Sequence, residues 1–280
     1  MNLEDYAAVL KDLAIPPRPA VVTVLFEEMS KDEPNLGRVT KTISADPGLS
    51  AGMLRAANSP FFGLSRKVSS VPQAIKVLGL THVANIATGL AIRHALKGGE
   101  TGQSFEKFWM KAEETGMVCH FLARSLRGFS PDEAFTYGLF HDCGIPVLSQ
   151  RFPRYRDTLK GAAKATGLED PGLEQDDTRT SHSILGYFLA RSWLLPGYIC
   201  QAILLHHDLE AFDARSTPDV VRNFIGVGHL AEHIQRRWLG NVNDTEWAVF
   251  EAAVMRHFAL TEEDVMNLVD RALVAVHGED

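Results

Sequence analysis

The sequence predicts an all-α protein made of two helical subdomains. Three observations carry this reading. Apolar residues recur every three to four positions along almost the whole chain, the period of a helix that buries one face. No alternating apolar and polar run of strand length occurs in the 280 residues. Pro, Gly, Ser and Asp fall between the periodic stretches, where helices start and stop.

In chain order, Leu3, Tyr6, Val9, Leu10 and Leu13 share a helical face, and Pro16, Pro17 and Pro19 then break the pattern. A second helix runs over 20–29 with Val21, Val24, Leu25 and Met29 inward, and Leu36, Val39 and Ile43 mark a third. Asp46-Pro47 stops one helix and starts the next, because the fixed φ of proline suits a first turn. Leu49, Met53, Leu54 and Ala57 form the inner face of that next helix. Asn58-Ser59-Pro60 and Gly63 make a loop, with Asn58 as a helix C-cap and support for a Phe61-Phe62 anchor. Ser70 is an N-cap, and the pattern Ala74, Val77, Leu78 continues past Gly79 to Leu96 as one helix. The polar, glycine-rich stretch Gly98-Gly99-Glu100-Thr101-Gly102 is the expected boundary between subdomains 1–98 and 103–280. Beyond it, helices are expected over 105–126, from Ser130-Pro131 into His141-Asp142, and over 151–165. Further helices follow over 181–193, 198–207, 218–236, 244–258 and 261–276, with 166–179 as a loop.

Composition narrows the function classes. The formal net charge is -7, from 28 Lys and Arg against 35 Asp and Glu, and no basic block stands out. A broad nucleic-acid-binding face needs clustered positive charge, so none is expected. No apolar run is long enough to cross a membrane. The acidic start lacks a signal peptide's basic and apolar regions, and the three cysteines form no CxxC. A reducing, cytoplasmic location is the simplest reading.

The stretch Tyr137-Gly138-Leu139-Phe140-His141-Asp142-Cys143-Gly144-Ile145 organises the chemistry. Adjacent imidazole and carboxylate groups at the end of an apolar helix are costly to bury unless paired or bound to a cation. Downstream, His182, His206, His207 and Glu232 fall on or at the ends of three more helices, which a bundle can aim at one interior point. Neighbouring side chains differ by about 100° around a helix, so His206 and His207 share a site only where that helix ends or is met along its axis, and otherwise one of them faces solvent. Imidazole and carboxylate donors suit iron, manganese, cobalt or zinc better than calcium or magnesium. Such an ion would lower the pKa of a bound water. Cys143 reads as a small buried hydrophobe rather than a ligand.

The order His-Asp, His, His-His, acid resembles the HD superfamily of metal-dependent phosphohydrolases. The N-terminal half is similar more narrowly to the HDOD (HD-related output domain) family. That likeness rests on Asp46 to Ser50, on Leu54 to Gly63 and on Val68 to Leu80. It rests also on Glu133 to Gly144, on Ser181 to Gly186 and on His206-His207-Asp208, and covers about residues 10–240. The resemblance implies an all-α bacterial signal-transduction module with an HD-like C-terminal bundle, acting on signalling proteins through direct contacts. It implies His141, Asp142, His182, His206, His207 and Glu232 as ligands of a divalent transition metal (iron, manganese or zinc). If the site were active, Asp142 would be its catalytic carboxylate, and a nucleotide or cyclic dinucleotide its substrate.

The departures from the pattern bear on activity. An active HD enzyme supplies another histidine from the helix before the doublet. The segment Phe108 to Glu114 has none; Lys111 or a neighbouring Glu113 or Glu114 falls near the position, and His120 comes too late. The lysine of His-Asp-x-Gly-Lys is replaced by Ile145, and the closing aspartate by Glu232. Loss of a ligand and of a phosphate-binding cation weakens both metal retention and transition-state stabilisation, so a degenerate, regulatory site is expected.

Overall fold

A computed structural model describes residues 18–59, 62, 64, 66–96, 103–152, 155, 181–240 and 244–277. Among these residues there is no strand, and fourteen helices form the architecture. They are α1 (Ala20–Met29), α2 (Leu36–Ser44), α3 (Pro47–Ala57), α4 (Val71–Leu78) and α5 (Leu80–Leu96). There follow α6 (Gln103–Ser125), α7 (Pro131–Phe140), α8 (Gly144–Arg151), α9 (His182–Ser192), α10 (Gly197–Leu205) and α11 (Leu209–Asp213). The last three are α12 (Asp219–Trp238), α13 (Thr245–Phe258) and α14 (Glu262–His277). The expected helices at 3–13 and 151–165, the loop at 166–179, the Phe61 anchor and the Gly98–Gly102 boundary lie outside the described residues, apart from Arg151, Phe152 and Tyr155.

The helix starts follow the sequence signals. Asp46 caps α3 by accepting from the backbone N–H groups of Gly48 and Leu49 at 2.8 and 3.0 Å, with Pro47 in the first turn. Ser181 caps α9, Asp208 caps α11 and Asp244 caps α13. Asn58 does what a C-cap needs and more: its amide donates to the Leu54 and Val68 carbonyls and accepts from the Val68 N–H at 2.7 Å, tying the end of α3 to the approach to α4. One expectation is corrected. The pattern from Ala74 does not run to Leu96 as a single helix, because Gly79 has φ +85°, a left-handed conformation that a side chain disfavours, and the chain turns between α4 and α5.

α5 packs against α1, α3 and α4 on one side and against α7 on the other. The long helix α6 packs against α7, α12 and α14. α10 crosses α9 and α12, and α8 lies against α9. The buried apolar side chains form one continuous cluster from Leu25 to Val276, with Trp193, Tyr137, Phe140, Phe212 and Phe224 among its largest members. The ends of α7, α9 and α10 therefore meet inside the bundle, and their polar residues are carried inside with them.

Candidate metal centre

Helix ends set the geometry. Every residue of α7 from Ala134 to Phe140 is buried, so the turn that follows is delivered into the interior. His141, Asp142 and Cys143 form that turn, and α8 begins at Gly144 against the start of α9. A Cβ on Gly144 would lie 2.1 Å from the His182 carbonyl oxygen, so the two helix starts meet only with glycine here. That approach sets His182 Nε2 3.5 Å from Asp142 Oδ1. α10 ends at Leu205, which frees His206 and His207 from helical divergence: their rings lie 3.9 Å apart. His206 Nε2 and His207 Nε2 approach His182 Nε2 to 3.2 and 2.9 Å, and His206 Nε2 is 3.5 Å from Asp142 Oδ1. On the other side of Asp142, His141 Nε2 lies 3.2 Å from Asp142 Oδ2 and 3.7 Å from Glu232 Oε1, which α12 supplies. All six residues singled out in the sequence are thus brought together, in two groups that share Asp142.

The donor set fits a cation. His141 Nδ1 donates to the Gly138 carbonyl at 2.8 Å, and His206 Nδ1 to the Ile203 carbonyl at 2.7 Å. His207 Nδ1 donates to Glu246 Oε1 at 2.7 Å. Such partners fix the tautomer, so the Nε2 of each neutral ring presents a lone pair inward. His182 Nε2 faces two of these lone pairs and has at most one proton to give. Donors on a tetrahedral zinc-like ion at about 2.0–2.1 Å stand about 3.3–3.4 Å apart. Four of the six spacings among Asp142, His182, His206 and His207 are 2.9–3.5 Å, close to that, and all six lie within 4.8 Å. His141 Nε2 is buried and makes no well-aligned hydrogen bond, with Asp142 Oδ2 3.2 Å away, so burial makes it expensive unless a proton or an ion satisfies it.

Charge is arranged around the two groups differently. Lys111, on α6, puts its Nζ 3.2 Å from Glu232 Oε1. Burial favours neutral acids at Asp142 and Glu232, yet both are held well below the carboxylate range. For Glu232 the leading cause is Lys111, then His141; for Asp142 it is His141, then His206 and His182. Burial works against charge on His141, but the Asp142 and Glu232 carboxylates outweigh it and raise its pKa well above the ordinary value. Burial, with His207 beside it, pushes His206 down to about 3, so that ring is neutral and ready to ligate. Glu246 is held at about 2 against its burial, chiefly by the His207 hydrogen bond.

Four residues of the centre carry no role in the sequence reading beyond Lys111's place in the helix. His229 Nε2 donates to the His206 carbonyl at 2.7 Å. Arg236 spans Asp244 and Glu246 at 2.8 and 3.0 Å. Glu246 orients His207, and Lys111 neutralises Glu232. The spacing His229, Glu232, His233, Arg236 places four polar residues on one face of α12, which is a readable signal. Glu246 has none beyond an acid in a first turn. Glu113 takes no part: it faces α5, lining a small cavity with Arg93, Trp109 and Leu139, where burial raises its pKa. Cys143 is fully buried and its thiol is pushed up by that burial, in keeping with an inert packing role.

A family model described as HDOD domain matches residues 15–209. A putative phosphohydrolase of Shewanella amazonensis SB2B has a similar structure, with TM-score 0.74 and 24% identity over 97% of this chain and 95% of that one. So has an HDOD domain protein with unknown function from Geobacter sulfurreducens, with TM-score 0.71 and 21% identity over 98% of this chain and 97% of that one. At such identities the likeness is one of fold. An uncharacterised protein of Treponema pallidum (strain Nichols) is 24% identical over 200 residues, 70% of this chain but 38% of that protein's length. The chain therefore spans well under half of that relative. A match over residues 15–209 covers most of these 280 residues, and the chain belongs to the HDOD family.

Proposed function

We propose that this chain is a regulatory signal-transduction module that works in the cytoplasm through contacts with other proteins. Its interior holds one divalent transition metal in place of a dinuclear hydrolytic centre. The observation that carries this reading is the Lys111 ammonium 3.2 Å from Glu232 Oε1. A fixed positive charge beside the His141, Asp142 and Glu232 group neutralises its outer carboxylate and repels a second cation. The group formed by Asp142, His182, His206 and His207 keeps a one-ion geometry, and those four residues would hold the metal. A metal at that position supplies a polarised, more acidic water. The chain's own part is orientation: the Ile203 carbonyl and Glu246 aim the two imidazoles, and Arg236 anchors Glu246. Three free, buried cysteines agree with a reducing compartment.

A second reading, metal-dependent phosphohydrolysis, draws on the same four-donor group and on the name of the Shewanella relative. Assay of the purified, metal-replete protein against cyclic dinucleotides and nucleotides separates the two. A regulatory module shows no turnover above that of Asp142→Ala. Turnover that disappears in a folded Asp142→Ala protein overturns the regulatory reading in favour of the hydrolytic one.

A further inference from the structure

We propose a second, separate transition-metal site, of the zinc class, formed by His82, His120 and Asp132 where α5 meets the α6–α7 hairpin. Asp132 stands at the start of α7 and His141 just past its end, so the ten residues of that helix hold the two sites about 15 Å apart. His82 Nε2 is 3.2 Å and His120 Nδ1 3.8 Å from the same oxygen, Asp132 Oδ1, and the donor atoms of all three lie within 4.8 Å of one another. Tetrahedral zinc at about 2.0–2.1 Å from nitrogen and oxygen needs separations near 3.3 Å, which small ring rotations supply.

The scaffold around these donors is built. The Asp132 carbonyl accepts from Asn85 Nδ2 at 3.0 Å and from Thr136 Oγ1 at 3.1 Å, which fixes the first turn of α7 to α5. The His82 ring packs edge-on against His120 at 4.8 Å and against Phe62 at 5.8 Å. Two imidazoles and one carboxylate are the donor set of open zinc sites and of facial iron sites. His82 and His120 both line a cavity of about 380 Å³, with Phe62, Leu64, Leu78, Phe121 and Arg124, which leaves room for a ligand in a remaining coordination position. Arg124 opposes the cation and favours an anionic or water ligand in that position. A metal here joins α5 to α6 and α7 in the folded state only, so it stabilises the junction by mass action.

The test is zinc titration by calorimetry of Asp142→Ala protein, which lacks the shared carboxylate of the first centre. One zinc equivalent is expected to bind, with a rise in unfolding temperature. Adding His82→Ala, a partly exposed position, is expected to weaken that binding at least about tenfold and abolish the rise. Asp132→Asn keeps the shape of the helix start and is expected to do the same. Unchanged zinc binding in either double variant, or no zinc binding by folded Asp142→Ala protein, overturns the site and leaves a plain His82–Asp132 hydrogen bond.

Discussion

In the proposed reading, Lys111 is the residue that sets one ion against two. Its ammonium stands 3.2 Å from Glu232 Oε1, on the helix from which the resemblance draws a further imidazole. Lys111→His removes the repelling charge and adds a nitrogen donor. It is expected to raise metal content by about one equivalent per chain over the parent, read by elemental mass spectrometry after purification without chelator. An unchanged content would show that the lysine is not what excludes the second ion. The ligand candidates were legible because buried imidazole and carboxylate groups are rare in apolar helices. Lys111 was legible as a departure from a pattern, but its partner was not, since Glu232 lies 121 positions away and only the crossing of α6 and α12 unites them. Glu246 was invisible for the same reason, and Arg236, readable as part of the polar face of α12, had no visible partner: the pairing depends on how α12 meets α13.

Among the elements, two contacts carry specific consequences. Gly144 lets α8 start against α9, and a methyl there meets backbone rather than a yielding side chain. Gly144→Ala is expected to cost about 2 kcal/mol, which lowers the unfolding temperature by at least about 4 °C. It is also expected to weaken metal binding, because it moves His182 away from Asp142. Differential scanning calorimetry with and without zinc reads both effects, and a neutral variant would contradict the packing described. The second contact joins α1 to α2. The fully buried Glu28 carboxylate accepts from Lys31 at 2.7 Å, Arg38 at 2.6 Å and the Asn35 N–H at 2.8 Å. These donors, Lys31 first, hold it at about 2 against an ordinary value of 4.5. Its folded value lies below its unfolded one, so its stabilisation is present above about pH 4.5 and is lost as the pH falls toward 2. The urea midpoints of the parent and of Glu28→Gln are expected to differ most at pH 6 and to draw together as the pH falls toward 2. A constant difference would contradict the assignment. Caps and turns such as Asp46-Pro47 were readable from the sequence, as local chemistry is. The break at Gly79 was not, because the apolar period continues across it and a glycine inside such a pattern signals a φ of either sign.

At the scale of the whole molecule, one continuous apolar core carries a polar centre inside it. Around that centre the carboxylates of Asp142, Glu232, Asp244 and Glu246 face the permanent cations Lys111 and Arg236. The raised pKa of His141 adds a proton to this excess of negative charge in metal-free protein. In the proposed reading one divalent ion in the four-donor group offsets the negative charge that remains, and two ions would overshoot. The all-α class was legible because helical periodicity repeats through the chain, while the balance of charge around the centre was not, because it belongs to the assembled bundle. The direct test is metal content per chain by elemental mass spectrometry, with the parent protein and folded Asp142→Ala prepared side by side without chelator. Asp142 is shared by both donor groups, so its loss empties whatever they hold. A parent that exceeds the variant by about one equivalent agrees with a single-ion regulatory centre. A difference of about two, or none, contradicts it.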